Sequence, residues 1–166
     1  MSKFKRILKH LVAGRWQVGR ILPSSSMHRI QAAISQSERS HDGELRFAVE
    51  TGLEWPDLLH GTTPRARAIK MFSRLRVWDT EHNSGVLIYL LLADRKVEIV
   101  ADRGVHARVG QAGWESICRK MEQRFRLGEF EAGVLEGIAA ITTLLQQHFP
   151  ASGDHRNELP DAPIVL

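Results

Sequence analysis

The sequence predicts an α/β fold built on a small mixed sheet, and three observations carry that prediction. "GVLIYLLLA" at 85–93 is apolar at every position, as expected of a central strand covered on both faces. Asp94-Arg95 and "KVEIVA" at 96–101 then read as a short turn and an antiparallel return strand. "GELRFAVET" at 43–51 alternates upstream, and a helical stretch separates it from the central strand. A strand reached through a helical crossover lies parallel to its predecessor, so the sheet holds both pairings.

The elements follow in order. Phe4, Ile7, Leu8, Leu11, Val12 and Trp16 form one helical stripe, with Lys3, Lys5, Arg6, Lys9 and Arg15 mostly off it. Residues 1–22 are thus a basic amphipathic N-terminal helix. Two uses fit it: docking on its own domain, or binding a membrane surface or protein partner through Lys3, Lys5, Arg6, Lys9, Arg15 and Trp16. Ile21-Leu22-Pro23 breaks the chain, Ser24-Ser25-Ser26 supplies an N-cap, and a helix to about Ser40 buries Met27, Ile30 and Ile34. His41-Asp42-Gly43 turns into the first strand.

In that strand Leu45, Phe47 and Val49 share one side, and Glu44, Arg46 and Glu50 the other. The second side is either wet or covered by a partly polar helix. "GLEWPDLLHG" reads as a loop. Thr62 or Thr63 caps the next helix with Pro64 in its first turn, and Ala68, Phe72 and Leu75 face inward. Arg65, Arg67, Lys70, Arg74 and Arg76 read as a solvated basic face, with phosphate or acidic-partner binding as the other use. After the return strand, "DRGVHARVG" reads as a charged exit loop. A helix at about 113–127 turns Trp114, Ile117, Cys118, Met121 and Phe125 inward, and a last helix spans about 130–148. Gly133, Gly137 and Ala140 on that last helix imply close approach to the sheet or another helix. Residues 23–149 form the α/β domain, and residues 150–166 a tail that is either a surface strap or a flexible end.

The chain has 166 residues, 43% of them hydrophobic, enough for one domain with a real core. A single cysteine excludes an internal disulfide framework. The formal net charge is +4, unevenly spread. Seven basic residues and no acidic one lie between Met1 and Ser37, which leaves 16 of the 23 basic residues against all 19 acidic ones, a net of −3. A mildly acidic domain with a basic N-terminal segment argues against nucleic acid as the partner. No apolar run approaches the roughly 18–20 residues of a membrane span, and Lys9, His10 and Arg15 interrupt any signal-peptide core.

Walker, HExxH and CxxC patterns are absent from the sequence. Topology gathers His41, Asp42, Asp79, Glu81, His82, Asn83, Asp102 and Arg103 at one end of the sheet. Asp79, Asn83 and Asp102 are the best candidate ligands for a hard cation, Ca2+ or Mg2+, with Glu81 and Asp42 in reserve. The alternative is that these acids cap elements and pair with Arg103 and Arg108.

"RVWDTEHNSGVLIYLLLADRKVEIVADRGVHARVG" followed by "FRLGEFEAGVLEGI" resembles the TPM domain family, through the Asn83-Ser84-Gly85 entry, the Asp102-Arg103-Gly104 exit and the run from Phe125 to Phe130 with Gly133. The resemblance spans about residues 43–148. It implies a three-layer α/β/α sandwich around the small mixed sheet, and it associates some members with acid phosphatase activity and divalent-cation binding. The loop from Trp78 to His82 departs from the family's glycine-containing approach. The reading placed first is a non-catalytic interaction module, cytoplasmic and peripheral to the inner membrane. The alternatives are a divalent-cation-dependent acid phosphatase and, third, a nucleic-acid binder.

Overall fold

The structure, a computed structural model, describes residues 3–153 and 157–166, with side chains described from Arg6 onward. Its elements are α1 (Lys3–Val12), α2 (Arg15–Ile21), α3 (Ser24–Glu38), β1 (Glu44–Glu50), α4 (Trp55–Leu59), α5 (Pro64–Arg74), β2 (Gly85–Leu91), β3 (Lys96–Ala101), α6 (Arg103–Arg126), α7 (Phe130–His148) and β4 (Ile164–Val165). The sheet runs β3-β2-β1-β4. β1 is parallel to β2 and to β4, and β2 is antiparallel to β3, so the sheet is mixed as the crossover argument requires.

Strand alternation divides the core into two layers. Leu45, Phe47 and Val49 of β1 join Val86, Ile88 and Leu90 of β2 in one core. That core is completed by Ile30 and Ile34 of α3, Trp114, Met121 and Phe125 of α6, and Val134, Ile138 and Ile141 of α7. On the opposite face Ala48, Leu87, Tyr89 and Leu91 pack with Leu58 of α4, Ala68 and Met71 of α5, and Leu159. The fold is a three-layer α/β/α sandwich. β1 has no wet face: Glu44, Arg46 and Glu50 are all buried beneath the α5 layer and the C-terminal segment. Of the two readings of its polar side, the covered one holds.

Five local expectations are corrected. The N-terminal helix is two helices, because the chain breaks at Ala13-Gly14. The N-cap of α3 is Pro23 rather than a serine, and the Ser26 hydroxyl instead donates to Glu131 of α7. The stretch read as a loop after β1 contains α4, with Pro56 in its first turn. Arg67 is buried rather than solvated. The charged exit loop is helical from Arg103: Asp102 is the N-cap, its carboxylate accepts the Arg103 N–H at 2.6 Å, and the helix breaks only at Gly110 (φ 75°). Thr63 caps α5 as expected, accepting the Ala66 N–H at 3.1 Å. The α7 glycines mark close helix–helix packing. A Cβ at Gly133 would lie 2.6 Å from the Phe125 ring, and one at Gly137 would collide with Met121.

Candidate functional site

α1 meets the domain through its polar side. Arg6 donates from Nε to Asp94 Oδ2 at 3.1 Å and from Nη2 to the Thr62 carbonyl at 3.1 Å. His10, one helical turn on, is buried, and its Nδ1 accepts the Leu53 N–H at 2.9 Å. That bond leaves the ring proton on Nε2, which donates to Asp94 Oδ1 at 3.1 Å. Burial works against ionisation of Asp94, but the hydrogen bonds from His10 and Arg6 outweigh it and hold the carboxyl below its ordinary range.

At about 100° per residue, Arg6 and His10 occupy one side of α1, and Leu8, Leu11 and Val12 fall on the other. Those three side chains are 53%, 58% and 62% exposed, and Trp16 at the start of α2 is 63% exposed. An ordinary amphipathic surface helix buries its apolar stripe and wets its polar one. Among its described side chains α1 departs from that pattern: Arg6 and His10 turn to the domain, Leu8, Leu11 and Val12 turn to solvent, and Ile7 of the same stripe is half-buried. Lys9 is exposed beside the apolar stripe, and Arg15, also exposed, reaches the Val165 carbonyl of β4 at 3.3 Å. Of the residues expected to face a membrane or partner, Lys9 and Trp16 are outward and Arg6 is turned inward. The side chains of Lys3 and Lys5 lie outside the described residues.

At the other end of the sheet, topology brings Asp102 and the Asn83 loop together. Asp102 N–H donates to the Gly85 carbonyl at 2.8 Å, and Glu44 N–H to the Ser84 carbonyl at 3.2 Å. A Cβ on Gly104 would meet the Asn83 and His82 carbonyl oxygens at 2.8 and 3.2 Å, so only glycine lets α6 start so close to this loop. Asp102 Oδ2 and Ser84 Oγ are buried there without a hydrogen-bond partner. Asp79 is engaged elsewhere, paired with Arg76 at 2.9 Å. The Glu81 N–H donates to the Glu158 carboxylate at 3.0 Å. The Asp42 carboxylate accepts the Ser152 N–H at 3.1 Å. Among the described residues no group of three or more His, Cys, Asp or Glu is arranged to hold a metal ion.

Two buried polar clusters escaped sequence reasoning. Arg67 donates from Nε to Glu50 Oε2 at 2.9 Å, from Nη2 to Glu50 Oε1 at 2.5 Å, and from Nη1 to Asp57 at 2.9 Å. The Tyr89 hydroxyl donates to the same Glu50 carboxylate. The Glu50 hydrogen bond raises the Arg67 pKa, and burial raises that of Tyr89, so one stays cationic and the other neutral. In the second cluster the Ser37 hydroxyl lies 2.7 Å from His41 Nε2, in the manner of a nucleophile and its base. The Gly43 N–H donates to His41 Nδ1 at 3.1 Å, however, which puts the ring proton on Nε2. The imidazole therefore donates to Ser37, and because the Thr142 hydroxyl donates to the Ile138 carbonyl, the Ser37 hydroxyl donates in turn to Thr142 Oγ1 at 2.6 Å. That polarity suits a structural chain rather than an activated serine. Cys118, pushed up to about 12 by burial, is equally unsuited to attack.

Fold and surface together define a three-layer α/β/α domain whose amphipathic N-terminal helix holds Leu8, Leu11 and Val12 toward solvent. Residues 18–144 match the TPM domain, and the chain belongs to that family. It is similar to the BA42 protein of the psychrophilic bacterium Bizionia argentinensis, known from NMR: TM-score 0.77 and 27% identity, over 87% of this chain and 95% of that one. The N-terminal domain of a protein from P. gingivalis shares the fold, with TM-score 0.61 and 19% identity over 78% of this chain and 82% of that one. No curated protein matches the chain. α1 precedes the residues matched to the family. No helix among the described residues is long and apolar enough to cross a membrane.

Proposed function

We propose that this TPM domain is a non-catalytic docking module that seats α1 and α2 on an anionic membrane surface. The observation that carries the reading is the inverted helix: Arg6 and His10 spend the polar side of α1 on Asp94, and Leu8, Leu11, Val12 and Trp16 are left facing solvent. Four large apolar side chains held outward on adjoining short helices support an interaction surface. Basic residues at its flank and a tryptophan suit the headgroup boundary, where each Lys or Arg contributes about 1 kcal/mol of attraction to anionic lipid. Co-sedimentation with phosphatidylcholine vesicles containing phosphatidylserine tests it. The full chain should pellet with them and be released by salt. Leu11→Ser and Trp16→Ser should each weaken binding about tenfold or more, from the roughly 1.5–3 kcal/mol of a buried large apolar side chain, with melting unchanged. Retention of full binding by both variants would end the reading.

A second reading draws on the orphaned oxygens of Asp102 and Ser84. The carbonyls of His82 and Asn83, which lie against Gly104, would add to them the kind of hard oxygen that Ca2+ or Mg2+ takes, and Asp79 would have to leave Arg76 to join them. A cation bound only by the native state raises the melting temperature by mass action. Millimolar calcium should shift the wild type, and Asp102→Asn should lose most of that shift. An unshifted wild type returns Asp79, Asn83 and Asp102 to capping and ion pairing.

A further inference from the structure

Between α1, α2 and the turn joining β2 to β3 lies an open cavity of about 460 Å³. Lys9, Arg20 and Arg95 line it, with Gln17 and the Trp16 ring on its wall and Phe130 among its apolar residues. Among the described residues no carboxylate lines it. The acids nearest in sequence are engaged elsewhere: Asp94 with Arg6 and His10, Glu129 with Arg124, and Glu131 with Arg29. None of the three cations has an ion-pair partner among the described residues. Three like charges around one concavity repel one another until an anion enters. Arg95 also holds a left-handed backbone, φ 51°, a conformation that asparagine adopts more readily than arginine.

We propose that this cavity is a subsite for a phosphomonoester, the headgroup of phosphatidic acid or a lipid with an equivalent terminal phosphate. The proposal rests on the membrane-docking reading and names the lipid chemistry that reading would select. A phosphomonoester carries about −1.5 to −2 charge near neutral pH and three acceptor oxygens, which matches three donors of fixed sign better than a phosphodiester does. Trp16 joins the two features: it is exposed with the apolar stripe of α1 and also forms a wall of the cavity. A headgroup in the cavity would therefore hang below acyl chains in contact with that stripe.

The test uses the full chain and two sets of phosphatidylcholine vesicles matched in surface charge, one carrying phosphatidylserine and the other phosphatidic acid. Wild type should bind the phosphatidic acid vesicles about tenfold more tightly, the difference made by one further charge-assisted hydrogen bond. Arg20→Gln should bring the two affinities together. Arg95→Asn should do the same, and because asparagine tolerates the left-handed turn, its fold should be no less stable than wild type. Equal wild-type affinities for the two vesicles would overturn the proposal. A parallel titration with inorganic phosphate, followed by amide NMR, separates it from the reading beneath it. Saturable shifts at Lys9, Arg20 and Arg95 without binding to either vesicle would keep the phosphate site and sink membrane docking. Vesicle binding without lipid preference and without phosphate shifts would keep docking and sink the site.

Discussion

Arg67 carries the same charge as Lys70 and Arg74 on α5, yet it is buried while they are exposed. Its guanidinium closes on Glu50 with two hydrogen bonds and on Asp57 with a third, tying α4 and α5 to the end of β1. Removing one partner of such a set leaves the other charge buried and uncompensated, which costs about 3–5 kcal/mol. Arg67→Met should therefore lower stability by that order in urea unfolding. Tyr89→Phe should cost only about 1 kcal/mol, since Glu50 keeps both arginine bonds. Equal, small effects would mean that Glu50 reaches water and that the set is not a buried staple. The alternation of β1 made the facing directions of Glu44, Arg46 and Glu50 legible in the sequence. It left open whether that side was covered, so nothing local told Arg67 from its neighbours. The orphaned oxygen of Asp102 was illegible for a similar reason: a capping carboxylate and a cation ligand have the same sequence.

At the scale of elements, long periodic segments were read most securely. The apolar run of β2, the antiparallel return of β3 and the helix α7 all lie where their patterns put them, because each pattern spans several turns or residue pairs of one face. Short elements were missed for want of such length. α4 is five residues, and the first turns of α6 are carried by a single buried Val105 and the partly buried Val109 before Gly110 interrupts them. α1 gives the converse case. Its stripe was legible and both candidate uses, inward docking and outward binding, were consistent with it. Which side of α1 meets the domain depends on Asp94, Leu53 and Thr62, which supply partners for Arg6 and His10 from 43 to 88 residues away. Apolar burial would have turned the helix over. Three hydrogen-bonded polar anchors at Asp94 and its neighbours hold it as it is, and they leave the candidate docking surface exposed.

The whole molecule is closed by its C-terminal segment. Residues 150–166, read as a tail, contribute β4, which pairs with β1 through Ala48–Ile164 and Val49–Val165. The stretch before β4 covers the polar side of β1. Glu44 accepts the N–H groups of Glu158 and Leu159 at 3.1 and 3.0 Å, and Arg46 donates to the Pro160 carbonyl. Leu159 itself is buried against the α5 layer. Nearby, burial pushes the Glu38 carboxyl up to about 9, so it is carried as a neutral acid at neutral pH. A chain ending at Gly153 would lose each of these contacts together. Glu44 and Arg46 would lose their capping partners, and β1 would become an open edge ready to pair with another copy. It would also lose the Val165 carbonyl that holds Arg15 of α2. The loss of Leu159 burial and three hydrogen bonds to charged side chains should cost at least about 4 kcal/mol, a large share of the 5–15 kcal/mol that holds a domain of this size folded. The truncated chain should therefore unfold at far lower urea and aggregate with concentration in sedimentation velocity. A monomer with unchanged urea midpoint would show that the strap is dispensable and that the sheet is complete with three strands.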